Sequence, residues 1–123
     1  MQKKLPKVFL FVDEFDFNTL SSLNKNIDII YRNYQKITNK NTLLKLREFC
    51  KKSSRKFYIA NNVKLAIQLN VDGAYIPSFN RNINFSNMNT HKKFHLIGSA
   101  HNKKEVVIKK YQNCKLIFLA PLF

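Results

Sequence analysis

Leu116-Ile-Phe-Leu-Ala-Pro-Leu-Phe123 is the stretch whose reading decides the fold. It is apolar throughout and follows a polar segment. A short continuous apolar run of this kind reads as a strand buried on both faces, the type found in parallel sheets. Such a strand needs a neighbour on each edge and a covering helix. Runs of the same type recur upstream, at 8–12, 27–31, 57–60, 73–76 (closed by Pro77) and 95–100.

The segments between these runs carry helical periodicity. Phe17, Leu20 and Leu23 recur every third residue, which predicts a short helix or turn. Asn41 can cap a helix through Lys52, with Leu43, Leu46, Phe49 and Cys50 on one face. Val63, Ala66, Ile67 and Leu69 form a third stripe, and Asn70 suits its C-terminal end. Asn102 with Glu105 resembles a capping box opening a helix that carries Val106, Val107 and Tyr111. The segment 78–90 is polar, rich in Asn and irregular. Alternating strand and helix predicts parallel strands with helices outside. The fold expected is one domain over 1–123, an incomplete (β/α)8 TIM-type barrel of about six parallel strands with outer helices. A closed eight-stranded barrel usually needs over about 200 residues, against 123 here. Strands seven and eight are therefore expected to be absent, and the first and sixth strands to be open edges prone to self-association.

Charge narrows the functional classes. Twenty-two Lys and Arg stand against 7 Asp and Glu, for a net charge of +15. The cations are mostly lysine and scattered in doublets, with no Arg-rich helix and no RNP-like aromatic strand. Weak, nonspecific nucleic-acid attachment is expected from this pattern, but no specific recognition; attraction for phosphorylated small molecules follows from the same charge. No apolar run approaches the length of a membrane span. The basic N-terminus leads to a short apolar run and then Asp13-Glu14, unlike a signal peptide, so a cytoplasmic protein is expected. Cys50 and Cys114 form no CxxC and read as small buried hydrophobes, not as disulfide or zinc ligands.

In parallel α/β folds, functional groups gather at the carboxyl ends of strands. That rule selects Asp13 and Glu14, Arg32 and Asn33, Asn61 and Asn62, Ser78 and Asn80, and Ser99 and His101. Arg32 can clamp a phosphate through two parallel hydrogen bonds, or neutralise Asp13-Glu14. Amides and hydroxyls can read a heterocycle. Asn61 and Asn102 can equally be helix caps, and His101 either a structural residue beside a helix N-terminus or an acid–base group. His91 and His95 read as surface positions.

The ordered strand ends resemble the thiamine phosphate synthase and thiazole tautomerase (TenI) superfamily, closest to its divergent alphaproteobacterial thiamine phosphate synthase-like branch. The matching pieces are Phe9-Leu-Phe-Val-Asp13, Ile29-Ile-Tyr-Arg-Asn-Tyr34, Tyr58-Ile-Ala60, Leu65-Ala66, Val71-Asp-Gly-Ala-Tyr-Ile76, Ile97-Gly-Ser-Ala-His101 and Leu119-Ala-Pro-Leu-Phe123. The resemblance implies a (β/α)8 barrel that joins a pyrimidine diphosphate to a thiazole phosphate with Mg2+, or isomerises a thiazole carboxylate phosphate. It places Arg32 at the pyrophosphate-contacting arginine, Ser99 at the substrate-contacting serine and His101 at the tautomerase histidine. The two positions where the synthase holds magnesium carboxylates fall on Asn61 and Asn80. Mg2+ usually takes one or two carboxylates besides phosphate oxygens, so the expected chemistry is metal-free, with no cofactor, and the synthase's Gln and Lys around Arg32 are also replaced. The alternatives are a non-catalytic ligand-binding remnant of that family and a nonspecific basic nucleic-acid binder.

Overall fold

The computed structural model describes residues 7–34, 39–87 and 90–119. Six strands form one sheet in the order of the chain: β1 (Val8–Val12), β2 (Ile27–Tyr31), β3 (Phe57–Ala60), β4 (Gly73–Ile76), β5 (His95–Ala100) and β6 (Cys114–Leu119). Every neighbouring pair is parallel. The helices are α1 (Phe17–Ser21), α2 (Lys40–Lys52), α3 (Val63–Gln68) and α4 (Lys103–Tyr111). Sequential parallel order with intervening helices is the incomplete TIM-type barrel expected from the sequence.

The sheet is strongly curled. β1 and β6 are its two edges, and a flat sheet would hold them about 24 Å apart at the usual strand spacing. Instead the Phe9 and Phe118 rings meet at 5.0 Å between centroids. Alternate residues face inward, and there Ile30, Tyr58, Tyr75 and Ile97 form a small core closed by Phe9, Phe11 and Phe118. The opposite face forms the larger core, where Ile29, Ile59, Ala74 and Ile76 pack under the helices. From α2 it receives Leu43, Leu46 and Cys50, all buried, with Phe49 beside them. Burying each large aliphatic chain there contributes about 1.5–3 kcal/mol.

Several local expectations are corrected. Asn39, not Asn41, caps α2, because its extended backbone lets Oδ1 accept the Asn41 and Thr42 N–H groups. Asn62, not Asn61, caps α3 through Leu65 N–H, while Asn61 takes a left-handed φ of 57°. Asn70 does end α3, at φ 54°, and Ser54 and Asn113 end α2 and α4 in the same way. Asn tolerates this region best after glycine, and the chain has only 2 glycines. The terminal strand begins earlier than the apolar run that suggested it, and it is not buried on both faces. Leu116 is 41% and Leu119 66% exposed, because among the described residues β6 pairs with β5 alone; 120–123 lie outside them. His91 is exposed as expected, but His95 is half-buried as the first residue of β5.

The segment after β4 remains irregular, apart from a 3-10 turn at Asn84–Asn87. Asn80 and Asn82 side chains accept N–H groups two residues on, at 2.9 Å each, which are Asx turns. Two fully buried polar side chains, from α4 and its C-cap Gln112, hold this loop. Lys109 Nζ donates to Asn80 O at 3.0 Å, and Gln112 Nε2 donates to Asn80 O and Asn82 O. Val107 and Tyr111, read from the sequence as marks of that helix, are instead exposed hydrophobic residues on it.

Candidate functional site

All six strands being parallel, their carboxyl ends form one mouth. Arg32 follows β2 there and His101 follows β5, so both stand at the same end of the sheet. Arg32 N–H continues the ladder by donating to Val12 O, and its guanidinium lies 4.2 Å above the Phe11 ring. Among the described residues no ion pair joins Arg32 to Asp13 or Glu14; the aromatic face takes the place of a carboxylate. Phe11 meets Tyr75 edge to face at 5.1 Å, and Tyr75 OH donates to Ser99 Oγ at 2.7 Å. Arg32, Phe11, Tyr75 and Ser99 thus form a continuous chain of contacts from β2 to β5.

The remaining expected residues fall into two further groups. Asn80 Nδ2 donates to Asn61 Oδ1 at 2.7 Å, so the two amides bond each other across the ends of β3 and β4. With that oxygen engaged and neither side chain charged, the pair does not suit Mg2+. His101 turns toward its own helix. Glu105 Oε1 accepts both His101 N–H, at 2.7 Å, and the ring at Nδ1, at 3.1 Å, while Asn102 Oδ1 accepts Glu105 N–H at 2.9 Å. The capping box is therefore shifted by one residue, with the carboxylate bonding His101 instead of the cap. Those hydrogen bonds hold Glu105 below the ordinary carboxylate range, chiefly the one from His101 N–H. The stability they contribute is present above the ordinary Glu range and is lost as pH falls through the lowered value. Because a carboxylate only accepts, Nδ1 carries a proton, and in the neutral ring Nε2 is the acceptor. Among the described residues no hydrogen bond links His101 to Arg32, Ser99, Asn61 or Asn80.

Sequence reasoning missed the aromatic rim. Tyr34 and Phe79 meet edge to face at 5.6 Å, although both are largely exposed. Partial burial, with Tyr75 adding and Arg32 opposing, pushes Tyr34 up to about 12, so it stays a donor at neutral pH. A cavity of about 230 Å3 lies at this rim, lined by Tyr31, Asn33, Tyr34, Asn61, Asn62 and Leu65 among others. A larger groove, of about 520 Å3, runs along α2 between Phe15, Phe17 and Phe49. Its wall is chiefly aromatic and aliphatic, with Lys45, Glu48, Lys52 and Ser53 along it. Cys50 and Cys114 are free thiols pushed up to about 12 and about 11 by burial, which leaves them inert at neutral pH. Among the described residues no helix is long and apolar enough to cross a membrane. No protein-family model matches the chain, and no curated protein matches it.

Proposed function

We propose that the mouth binds a phosphorylated thiazole or pyrimidine, in the manner of the thiamine phosphate synthase/TenI proteins that the strand ends resemble, and that the protein works in the cytoplasm. The observation that carries this reading is the contact chain from Arg32 to Ser99 across one end of a parallel sheet. Arg32, stacked on Phe11, offers the phosphate paired donors in a fixed plane. Ser99 Oγ accepts from Tyr75, so its own proton is available to the ligand. Tyr34 and Phe79 give a heterocycle an aromatic wall. His101 Nε2, with Nδ1–H held by Glu105, takes a proton from one ring position and returns it at another, a metal-free isomerisation.

A second reading, binding without turnover, is favoured by the Asn61–Asn80 bond and by the aromatic rings that fill the barrel interior. Thermal shift with thiazole phosphate, pyrimidine diphosphate and thiamine phosphate tests both. A stabilising shift with turnover that His101→Ala abolishes, the fold being intact, supports the isomerase. A shift without turnover supports the binding protein. No shift with any of the three contradicts both.

A further inference from the structure

The lysines look scattered in the sequence, but the fold sorts them. In a parallel sheet every strand start lies at one end, and the helices, running back, finish at that same end. Lys7 and Lys56 immediately precede β1 and β3, and Lys115 is the second residue of β6. Lys25 stands just before β2, and Lys92 and Lys93 just before β5. The last turns of α2 and α4 add Lys51, Lys52 and Lys110. Each of these side chains is exposed.

The carboxylates at this end are already engaged, the exposed Glu48 with Arg47 at 3.7 Å. Asp28 is 1% exposed; it accepts Lys56 N–H at 3.0 Å and faces Lys7 at 3.6 Å. Asp72 accepts Phe57 N–H at 2.8 Å. At the mouth, by contrast, Asp13, Glu14, Asp16 and Glu105 interleave with the cations. The positive field at the strand starts also registers on His95, which is held below its ordinary value by burial first and then by Lys115 and Lys56. Lysines in a helix's last turn also answer its dipole, but that leaves unexplained the lysines that precede strands.

We propose that the end of the sheet opposite the mouth is a sequence-independent docking plate for the phosphate backbone of a nucleic acid. The arginines near this end, Arg47 and Arg55, donate to backbone carbonyls, and the exposed lysine point charges that remain suit phosphate contact more than base reading. A membrane surface is the weaker match, because no amphipathic helix lies along this end among the described residues to insert an apolar face.

The test compares two variants of equal net charge. One carries Lys56→Gln, Lys92→Gln, Lys93→Gln and Lys115→Gln; the other carries Lys40→Gln, Lys64→Gln, Lys103→Gln and Lys104→Gln, at the helix starts beside the mouth. Binding to a labelled duplex of about twenty base pairs is followed by anisotropy over a salt series. The first variant is expected to lose about tenfold or more in affinity and to flatten the salt slope by about three, the second to keep near wild-type binding. Equal losses would assign the binding to net charge alone and overturn the plate. Stronger co-sedimentation of wild type with phosphatidylserine vesicles than binding to the duplex would overturn it in favour of a membrane. If either variant fails to fold, lysine acetylation of wild type with and without duplex decides the matter. Protection of Lys56, Lys93 and Lys115 beyond that of Lys64 and Lys103 supports the plate, and even protection rejects it.

Discussion

Lys109 shows how a single residue can be both necessary and costly. Its side chain is fully buried, its ammonium donates to Asn80 O, and burial holds it below the ordinary lysine value. A lysine lowered in the fold binds its proton more tightly when unfolded, so stability rises with pH through the lowered value up to the ordinary one. Lys109→Met removes that dependence. Its melting temperature relative to wild type should be highest near neutral pH and should fall as pH approaches the ordinary lysine range; a pH-independent difference between the two would contradict this. The two glycines are fixed by space. A Cβ at Gly73 would land against the His95 carbonyl oxygen, with Tyr58 carbons at 2.8 Å, whereas at Gly98 it would meet Lys109 Cδ at 2.7 Å and the Ile76 carbonyl oxygen at 2.9 Å. Overpacking costs about 1–3 kcal/mol, so both substitutions should destabilise, Gly73→Ala at or above that range and by more than Gly98→Ala, as read by denaturant unfolding. The reverse order would contradict the packing described. Single-residue roles were partly legible in the sequence. Asn70 and Asn102 were, because caps follow local spacing. The Glu105 bond to His101 and the Arg32 seat on Phe11 were not, because they depend on the direction of side chains that spacing leaves open.

At the scale of elements, the loop between β4 and β5 takes the place of a helix. A helix would satisfy its own carbonyls; here Gln112 and Lys109 of α4 do so for Asn80 and Asn82. Leaving such acceptors unpaired in a buried setting costs about 1–3 kcal/mol. Gln112→Ala should therefore lose stability on that order, and hydrogen exchange should accelerate across 80–87 before it does in β2 or β3. Uniform acceleration across the sheet would show that the glutamine supports the whole fold and not this loop. The irregularity of the loop was legible in its Asn-rich sequence. Its attachment was not, since Lys and Gln on a helix read as solvent-facing until the fold places them inside. The strand positions were all legible from apolar runs, but the exposure of β6 depends on which neighbours it has, and that is not a local property.

At the scale of the whole molecule, the curl brings the aromatic rings of β1 and β6 together inside while leaving each edge paired on one side only, among the described residues. Open strand edges favour pairing with another chain, and the net charge of +15 opposes it through repulsion. Salt screens the repulsion but leaves backbone hydrogen bonds intact. Light scattering should thus find association that grows with protein concentration and with ionic strength. A monomer under all salt conditions would mean that the ring contacts between β1 and β6 protect the edges.

The central claim is that Arg32, seated on Phe11 at the mouth, is the anion-binding group of the site. Calorimetric titration of a thiazole phosphate into wild type and Arg32→Gln tests it most directly. Charge-assisted hydrogen bonds contribute about 1.5–3 kcal/mol, so the variant should bind roughly tenfold or more weakly, with its melting temperature unchanged in the absence of ligand. Equal affinity in the two proteins would contradict the claim.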